Sequence, residues 1–479
     1  MPNARNLLIL AAAAALPLAG CTTNSTSAGV GNIPAPAQAQ PERKLAKKVI
    51  LFIGDGMGVS TVTASRIYAG QKLGQTGEEY VLPFEKWDNV ALVKTYNTNA
   101  QVPDSAGTAS AMNTGVKTRI GVLGVGPEAP HGDCTASLAH RLPTLGEKAK
   151  REGMALGIVS TARITHATPA AVYAHVPNRD WESDMAIPEN QRGLGCEDIA
   201  SQLIGSDFDV ALGGGRAAFF GKDKRGRRLE ADANLAGAWV NLSGGTYVED
   251  ATALAAAPMD KPVLGLFSPS HMTYTVDRKP DSSEPTLTDM TAEAIKRLDQ
   301  DPDGYYLMVE SGRIDHGHHE GRAGYALEEA VEFARAIQYA LDNTNPEETL
   351  ILVTADHSHV FTIAGYPRRG NDILGLVVPP EGGGEDDGAG AGGPTLAEDG
   401  KPYTTLGYGN GMGGLAGERG VPETGVSARQ QATVRLGSET HGGEDVALYG
   451  TGPGSEGVRG VIEQNRIYNI IARALGWQN

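Results

Sequence analysis

Thr349-Leu-Ile-Leu-Val-Thr354, followed after one alanine by Asp356-His-Ser-His359, is the stretch that decides the fold. A short, unbroken apolar run reads as a strand buried on both faces, and such strands belong to parallel sheets covered by helices. In that architecture, residues just past the carboxyl end of a strand form the rim where ligands bind. Here the rim carries a carboxylate and imidazoles, the donors that a divalent metal takes. Two other segments repeat the pattern. Lys48-Val-Ile-Leu-Phe-Ile53 runs into Gly54-Asp55-Gly-Met-Gly58, and Tyr305-Tyr-Leu-Met-Val309 runs into Glu310-Ser-Gly-Arg-Ile-Asp315-His-Gly-His-His319. Three strands are therefore expected to bring carboxylates and histidines to one rim.

Outward from these segments, strands are expected at 156–160, 208–212, 263–267 and 447–449. Leu327, Val331, Ala334, Ile337 and Leu341 recur at helical spacing over 326–341, and 462–475 reads as a closing amphipathic helix. Alternating strands and helices predict an α/β fold, with a central, mostly parallel sheet flanked by helices on both faces. Residues 381–400 are dominated by Gly, Asp, Glu and Ala and cannot bury a core, so they read as a surface excursion. That excursion lies in an insertion ending near Arg435, after which the sheet pattern resumes.

The chain has 479 residues, 57 acidic against 41 basic, and a formal net charge of −16. This balance excludes nucleic acid or an anionic membrane as an electrostatic partner. An anionic substrate would need local positive charge from metals or an arginine. At the start, Arg5 precedes an apolar stretch over 7–19, and Leu18-Ala-Gly-Cys21 resembles a bacterial lipobox. On that reading 1–20 is a lipoprotein signal peptide and Cys21 carries the lipid. Residues 21–46 are then a flexible tether, and 47–479 the catalytic domain. The protein would be exported and lipid-anchored at the cell envelope; an ordinary signal peptide that contains a cysteine is the plainer alternative. Cys134 and Cys196 remain, either as one disulfide or as two thiols.

Asp104 in Pro103-Asp-Ser105-Ala-Gly-Thr-Ala is a good helix N-cap, which puts Ser105 in the first turn. Backbone N–H groups there favour an anion, and a metal can activate the hydroxyl for attack. A capping segment without chemistry is the bland reading. Asp315 and His319, four residues apart, share a face of a helical turn and can bind one ion, whereas His316 and His318 point elsewhere.

Seven motifs together resemble the alkaline phosphatase family, closer to its animal branch than to its enteric bacterial branch. They are Gly-Asp55-Gly-Met-Gly, Pro-Asp-Ser105-Ala-Gly-Thr-Ala, His166-Ala-Thr168-Pro-Ala, Asn178-Arg179-Asp-Trp, the Glu310 to His319 segment, Thr-Ala-Asp356-His357-Ser-His-Val-Phe and Thr-His441-Gly-Gly-Glu-Asp-Val. The resemblance runs from about Lys47 to the end. It implies release of phosphate from diverse phosphomonoesters through a phosphoserine on Ser105, with two zinc ions and one magnesium. Asp315, His319 and His441 match the ligands of one zinc. Asp55, Asp356 and His357 match those of the other, completed by Ser105; Asp55, Thr168 and Glu310 match those of magnesium. Arg179 matches a phosphate clamp and Asp104 the carboxylate that orients it.

Where the branches differ, His166 and His316 follow the animal one. A neutral imidazole at His166 predicts weaker magnesium binding than a carboxylate there, hence activation by added magnesium. The family's further calcium site is not expected. Phe267 could still offer its carbonyl, but Ser268 stands where a glutamate ligand belongs, and Glu284 replaces an aspartate. The resemblance also pairs Cys134 with Cys196, likens 370–435 to a surface crown, and implies a homodimer. A phosphodiesterase or sulfatase of the same superfamily is the neighbouring alternative, and a metal-stabilised surface binding protein the distant one.

Overall fold

The computed structural model describes residues 44–381 and 393–477. The signal segment, Cys21, most of the tether and part of the glycine- and acid-rich excursion lie outside the described residues. Ten strands form one sheet, in the order Gly460–Glu463, Asn89–Lys94, Val446–Thr451, Thr349–Ala355, Lys48–Gly54, Tyr305–Ser311, Ala155–Arg163, Val210–Gly214, Val263–Leu266, Thr246–Val248. Every neighbouring pair is parallel except those made by Val446–Thr451, which runs against both its neighbours.

The central strands are buried along nearly their whole length because helices cover both faces. One helical group holds Val59–Lys72, Leu287–Leu298 and Ala323–Asn343. Another holds Ser105–Thr114, Leu145–Arg151 and Arg466–Ala474. Register decides function here: Gly54 is level with Ser311 on one side and Ala355 on the other, and Ile53 is level with Glu310. The chain therefore leaves all three strands at one height, with Asp55, Glu310 and Asp356 side by side.

Two boundaries differ from the sequence expectation. The last helix begins at Arg466, because 460–463 pairs as a strand with the otherwise open edge of Asn89–Lys94. Val461 and Ile462 are β-branched, and a short apolar run does not separate strand from helix by periodicity alone. The strand Asn89–Lys94 itself, half exposed, escaped that reading. Between Phe361 and Arg435 the chain forms a separate three-stranded sheet from Phe361–Ile363, Leu406–Gly411 and Ala432–Arg435. A two-residue antiparallel pairing sets His441 opposite His359 and so pins a distant segment to the rim.

Candidate metal centre

Asp55, Glu310 and Asp356 emerge from adjacent strands with no solvent exposure. Burial pushes all three carboxyls above their ordinary range, Glu310 to about 7, and at Asp55 the neighbouring carboxylates add to the rise. Asp55 Oδ2, Asp356 Oδ2 and Glu310 Oε1 are buried without any hydrogen-bond partner. Thr168 Oγ1 and His166 Nδ1 share that condition. Carboxylate and hydroxyl oxygens left unpaired in this number, clustered and buried, are what a bound cation would satisfy.

The imidazoles point the same way. His319 Nδ1 lies 2.7 Å from the Glu439 carbonyl and His441 Nδ1 2.8 Å from the Pro103 carbonyl. Each therefore carries its proton on Nδ1 and keeps a lone pair on Nε2. Yet those two Nε2 atoms face each other at 3.1 Å, and both lie within 3.4 Å of Asp315 Oδ1. Two lone pairs and a carboxylate oxygen repel at that distance unless a cation sits among them. His357, held neutral by burial, presents Nε2 3.4 Å from both Asp55 Oδ1 and Asp356 Oδ2. The donor set Asp55–Asp356–His357 and the set Asp315–His319–His441 thus suit an ion such as zinc, while Asp55, Glu310 and the Thr168 hydroxyl offer the oxygens that magnesium prefers.

Ser105 opens the helix Ser105–Thr114, capped by Asp104, whose carboxylate accepts from Gly107 N. Its Oγ lies 3.2 Å from His357 Nε2 and 3.4 Å from Asp55 Oδ1. Small residues let this helix sink against the sheet, so Ser105 is only 2 % exposed. Arg179 donates to Asp104 Oδ2 at 3.1 Å and to His166 Nε2 at 3.0 Å. Although burial opposes it, the Arg179 guanidinium and the N–H groups of Gly107 and Gly121 hold the Asp104 carboxyl below its ordinary value. Hydrogen bonds thus tie Ser105 to Asp55 and His357, and Arg179 to Asp104 and His166.

The residues that hold those donors in place escaped the sequence reading. His359 lies between Glu439 Oε2, at 2.6 Å, and Asp315 Oδ1, at 2.9 Å. Burial alone would lower it, but the two carboxylates push it up to about 10, so it is an imidazolium that donates at both nitrogens. It pins the Asp315 carboxylate in place. Gly56 makes room for it: φ there is +70°, and a Cβ would come within 2.3 Å of His359 Nε2. Ser160 donates to Glu310, and His318 bridges Thr61 and Tyr408. Outer partners of this kind are worth about ten- to a hundredfold in metal affinity. His359→Ala is accordingly expected to lose zinc on dialysis at least about tenfold more readily than the parent. Equal retention would remove His359 from this role.

Cys134 and Cys196 are joined as a disulfide, with Cα atoms 5.7 Å apart. Cys134 packs with the buried Trp181 and Ile187, so the bridge braces the segment that carries Arg179. Closing a loop of this size stabilises by about 4 kcal/mol on the chain-entropy model. At the positions considered for calcium, Glu284 accepts from Thr273 N and Oγ1, and Ser268 Oγ donates to the His271 carbonyl.

Comparison with known proteins agrees with this geometry. The alkaline phosphatase family model matches residues 46–477. The tissue-nonspecific alkaline phosphatase of Gallus gallus is 45% identical over 459 residues, covering 90% of this chain and 85% of its own. That of Homo sapiens is 43% identical over 456 residues, covering 90% and 84%. Among solved structures, the alkaline phosphatase of the Antarctic bacterium TAB5 superposes with a TM-score of 0.64 at 23% identity, covering 91% of this chain and all of its own. That of Thermus thermophilus gives 0.65 at 21%, covering 94% and 96%. With the strand-end carboxylates, Ser105 and Arg179 in one place and the match spanning nearly the whole described chain, the protein belongs to the alkaline phosphatase family.

Proposed function

We propose that the protein hydrolyses diverse phosphomonoesters by two displacements at phosphorus, with Ser105 as the transient phosphate acceptor. The observation that carries this reading is the facing pair of bare Nε2 atoms of His319 and His441 beside Asp315, with a ring nitrogen of His357, the imidazole that meets Ser105, within 4.8 Å of ligand atoms of Asp315 and His441. Asp315, His319 and His441 would hold one zinc, and Asp55, Asp356, His357 and Ser105 the other. Asp55, Thr168 and Glu310 would hold magnesium, with His166 beside them. When bound, these ions supply Lewis-acid stabilisation of the attacking and leaving oxygens and a nucleophilic water near neutral pH.

The chain's own groups do the rest. Arg179, oriented by Asp104, grips two phosphate oxygens with its planar fork. His166, neutral because of burial and the nearby guanidinium, accepts from Arg179 and keeps its Nδ1 proton to donate. Ser105 Oγ gives up its proton and bonds to phosphorus as the P–O ester bond breaks, and the departing oxygen takes up a proton. Water then attacks the phosphoserine from the opposite side, freeing Ser105 and inorganic phosphate.

The same reading places the enzyme outside the cytoplasm, tethered through lipid on Cys21, and working as a homodimer. The Leu-Ala-Gly-Cys21 box, the Ser-, Thr- and Pro-rich stretch after it and the disulfide support the first two. The dimer rests on family membership.

Rates on nitrophenyl phosphate, its bis-ester and nitrophenyl sulfate test the assignment. The monoester is expected to win by about 10³-fold or more, because only it offers the oxygens that Arg179 and the rim recognise. Comparable rates on the bis-ester or the sulfate would move the protein to another branch of the superfamily.

A further inference from the structure

The insertion between Phe361 and Arg435 has its own small sheet, yet it is hydrogen-bonded to the segments that carry Asp315, His319 and His441. Tyr408, on the strand Leu406–Gly411, shares a hydrogen bond of 2.8 Å with His318 Nδ1. His318 is fully buried, and its other ring nitrogen lies 3.0 Å from Thr61 Oγ1. It stands on the same helical turn as Asp315 and His319, so anchoring its ring on both sides fixes how that helix is rotated about its axis.

Asn410, two residues further along the strand, makes a reciprocal pair with Thr440. It donates to Thr440 Oγ1 at 2.9 Å and accepts from Thr440 N at 3.0 Å, one residue before His441. The turn after His319 is held as well, where a helix end leaves carbonyls unpaired. Arg429 Nε donates to the Glu320 carbonyl at 3.0 Å, and Gln430 N to the Gly321 carbonyl at 2.9 Å. Each member of the Asp315–His319–His441 set therefore lies within three residues of a group gripped by the insertion. The other set is held differently. Asp356 accepts from Gly56 N, its carbonyl accepts from Gln464, and Ser105 meets both Asp55 and His357; among the described residues these partners all lie outside the insertion.

We infer that the insertion is a clamp on one of the two zinc ions, with Tyr408 and Asn410 as positioning residues that keep the Asp315–His319–His441 set closed. This rests on the metal assignment above. The Nε2 lone pairs of His319 and His441 face each other at 3.1 Å and repel once their cation departs, so release of the ion requires the two segments to part. The hydrogen bonds from Tyr408 and Asn410 resist that parting. Outer partners that hold ligands in this way are worth about ten- to a hundredfold in metal affinity. The hold on one zinc, and not on the other, then depends on a part of the chain that supplies no ligand.

The test follows zinc leaving the metal-loaded protein into an excess of a zinc-selective chelating dye, at constant magnesium. Tyr408→Phe and Asn410→Ala should each speed the release of one zinc equivalent about tenfold and leave the other within about twofold. Asn410→Asp should stay near the parent, because a carboxylate can accept from both Thr440 N and the Thr440 hydroxyl. In a His441→Ala background, where the clamped set is already broken, Tyr408→Phe should change nothing further. Tyr408→Phe keeps the ring that packs on Phe361, and it carries the test if Asn410→Ala does not fold. Equal acceleration of both equivalents, no acceleration of either, or an effect that persists beside His441→Ala would overturn the clamp alone. A parent protein that takes up no zinc would overturn the metal assignment and the clamp with it.

Discussion

Ser105→Ala is expected to lower kcat by about 10³-fold or more while phosphate still binds, because the substitution removes the one oxygen that reaches phosphorus and little else. Ser105 is nearly inaccessible and its Cβ is already packed at the start of a helix, so alanine fits without strain. Arg179, Asp104 and the two donor sets do not depend on the hydroxyl for their positions: Asp104 is fixed by Gly107 N, Gly121 N and Asn97, and His441 by Pro103 O. Phosphate should therefore remain a competitive ligand of similar affinity, measurable by protection against thermal unfolding. Trapping labelled phosphate on the parent protein at acid pH, and failing to trap it on the variant, identifies the acceptor. Retained turnover in Ser105→Ala would eliminate the covalent step.

Chelation is expected to abolish activity and to destabilise the fold, since the rim then holds three buried carboxylates and several facing lone pairs without their cations. Loss of an ion present at a thousand times its dissociation constant costs about 4 kcal/mol. Zinc should restore turnover, and magnesium added afterwards should raise it further, because His166 stands where a carboxylate would bind magnesium more firmly. The metal-free protein should also become less stable as pH rises from about 7 toward 9. His359 sets the sign: it is raised from 6.5 to about 10 in the folded chain, so its contribution is complete below 6.5 and is lost as pH climbs toward 10. His166 and His357, held low, are neutral in folded and unfolded chains alike across that window and add no slope. Thermal melts of the metal-free protein at several pH values check this. A melting temperature unmoved by chelation, or one that rises with pH, would contradict it.

The two results bear on different parts of the site. Ser105 tests the reacting atom; chelation tests the charge balance that lets Asp55, Glu310 and Asp356 stay ionised together. An inactive Ser105 variant with normal metal content, beside a destabilised metal-free parent, separates chemistry from scaffolding. His359 connects them, since it holds the Asp315 carboxylate while bonded to Glu439.

Much of this was legible along the chain. Lys48–Gly54, Tyr305–Ser311 and Thr349–Ala355 announce themselves as buried strands because each is an unbroken apolar run, and their first polar residues are the rim. Asp104 and Ser105 read correctly as cap and first turn, because capping is a contact between residues three apart. Asp315 and His319 share a helical face for the same local reason. The tertiary structure alone decided that the three strand ends stand level, that Pro103 and Glu439 carbonyls turn two ring lone pairs onto one point, and that His359 is a charged strut. Asp356 and Gly56 meet across 300 residues, and His319 and His441 across 122. Such meetings depend on sheet register and packing, which arise from the whole folded chain and leave no periodic mark in any one segment.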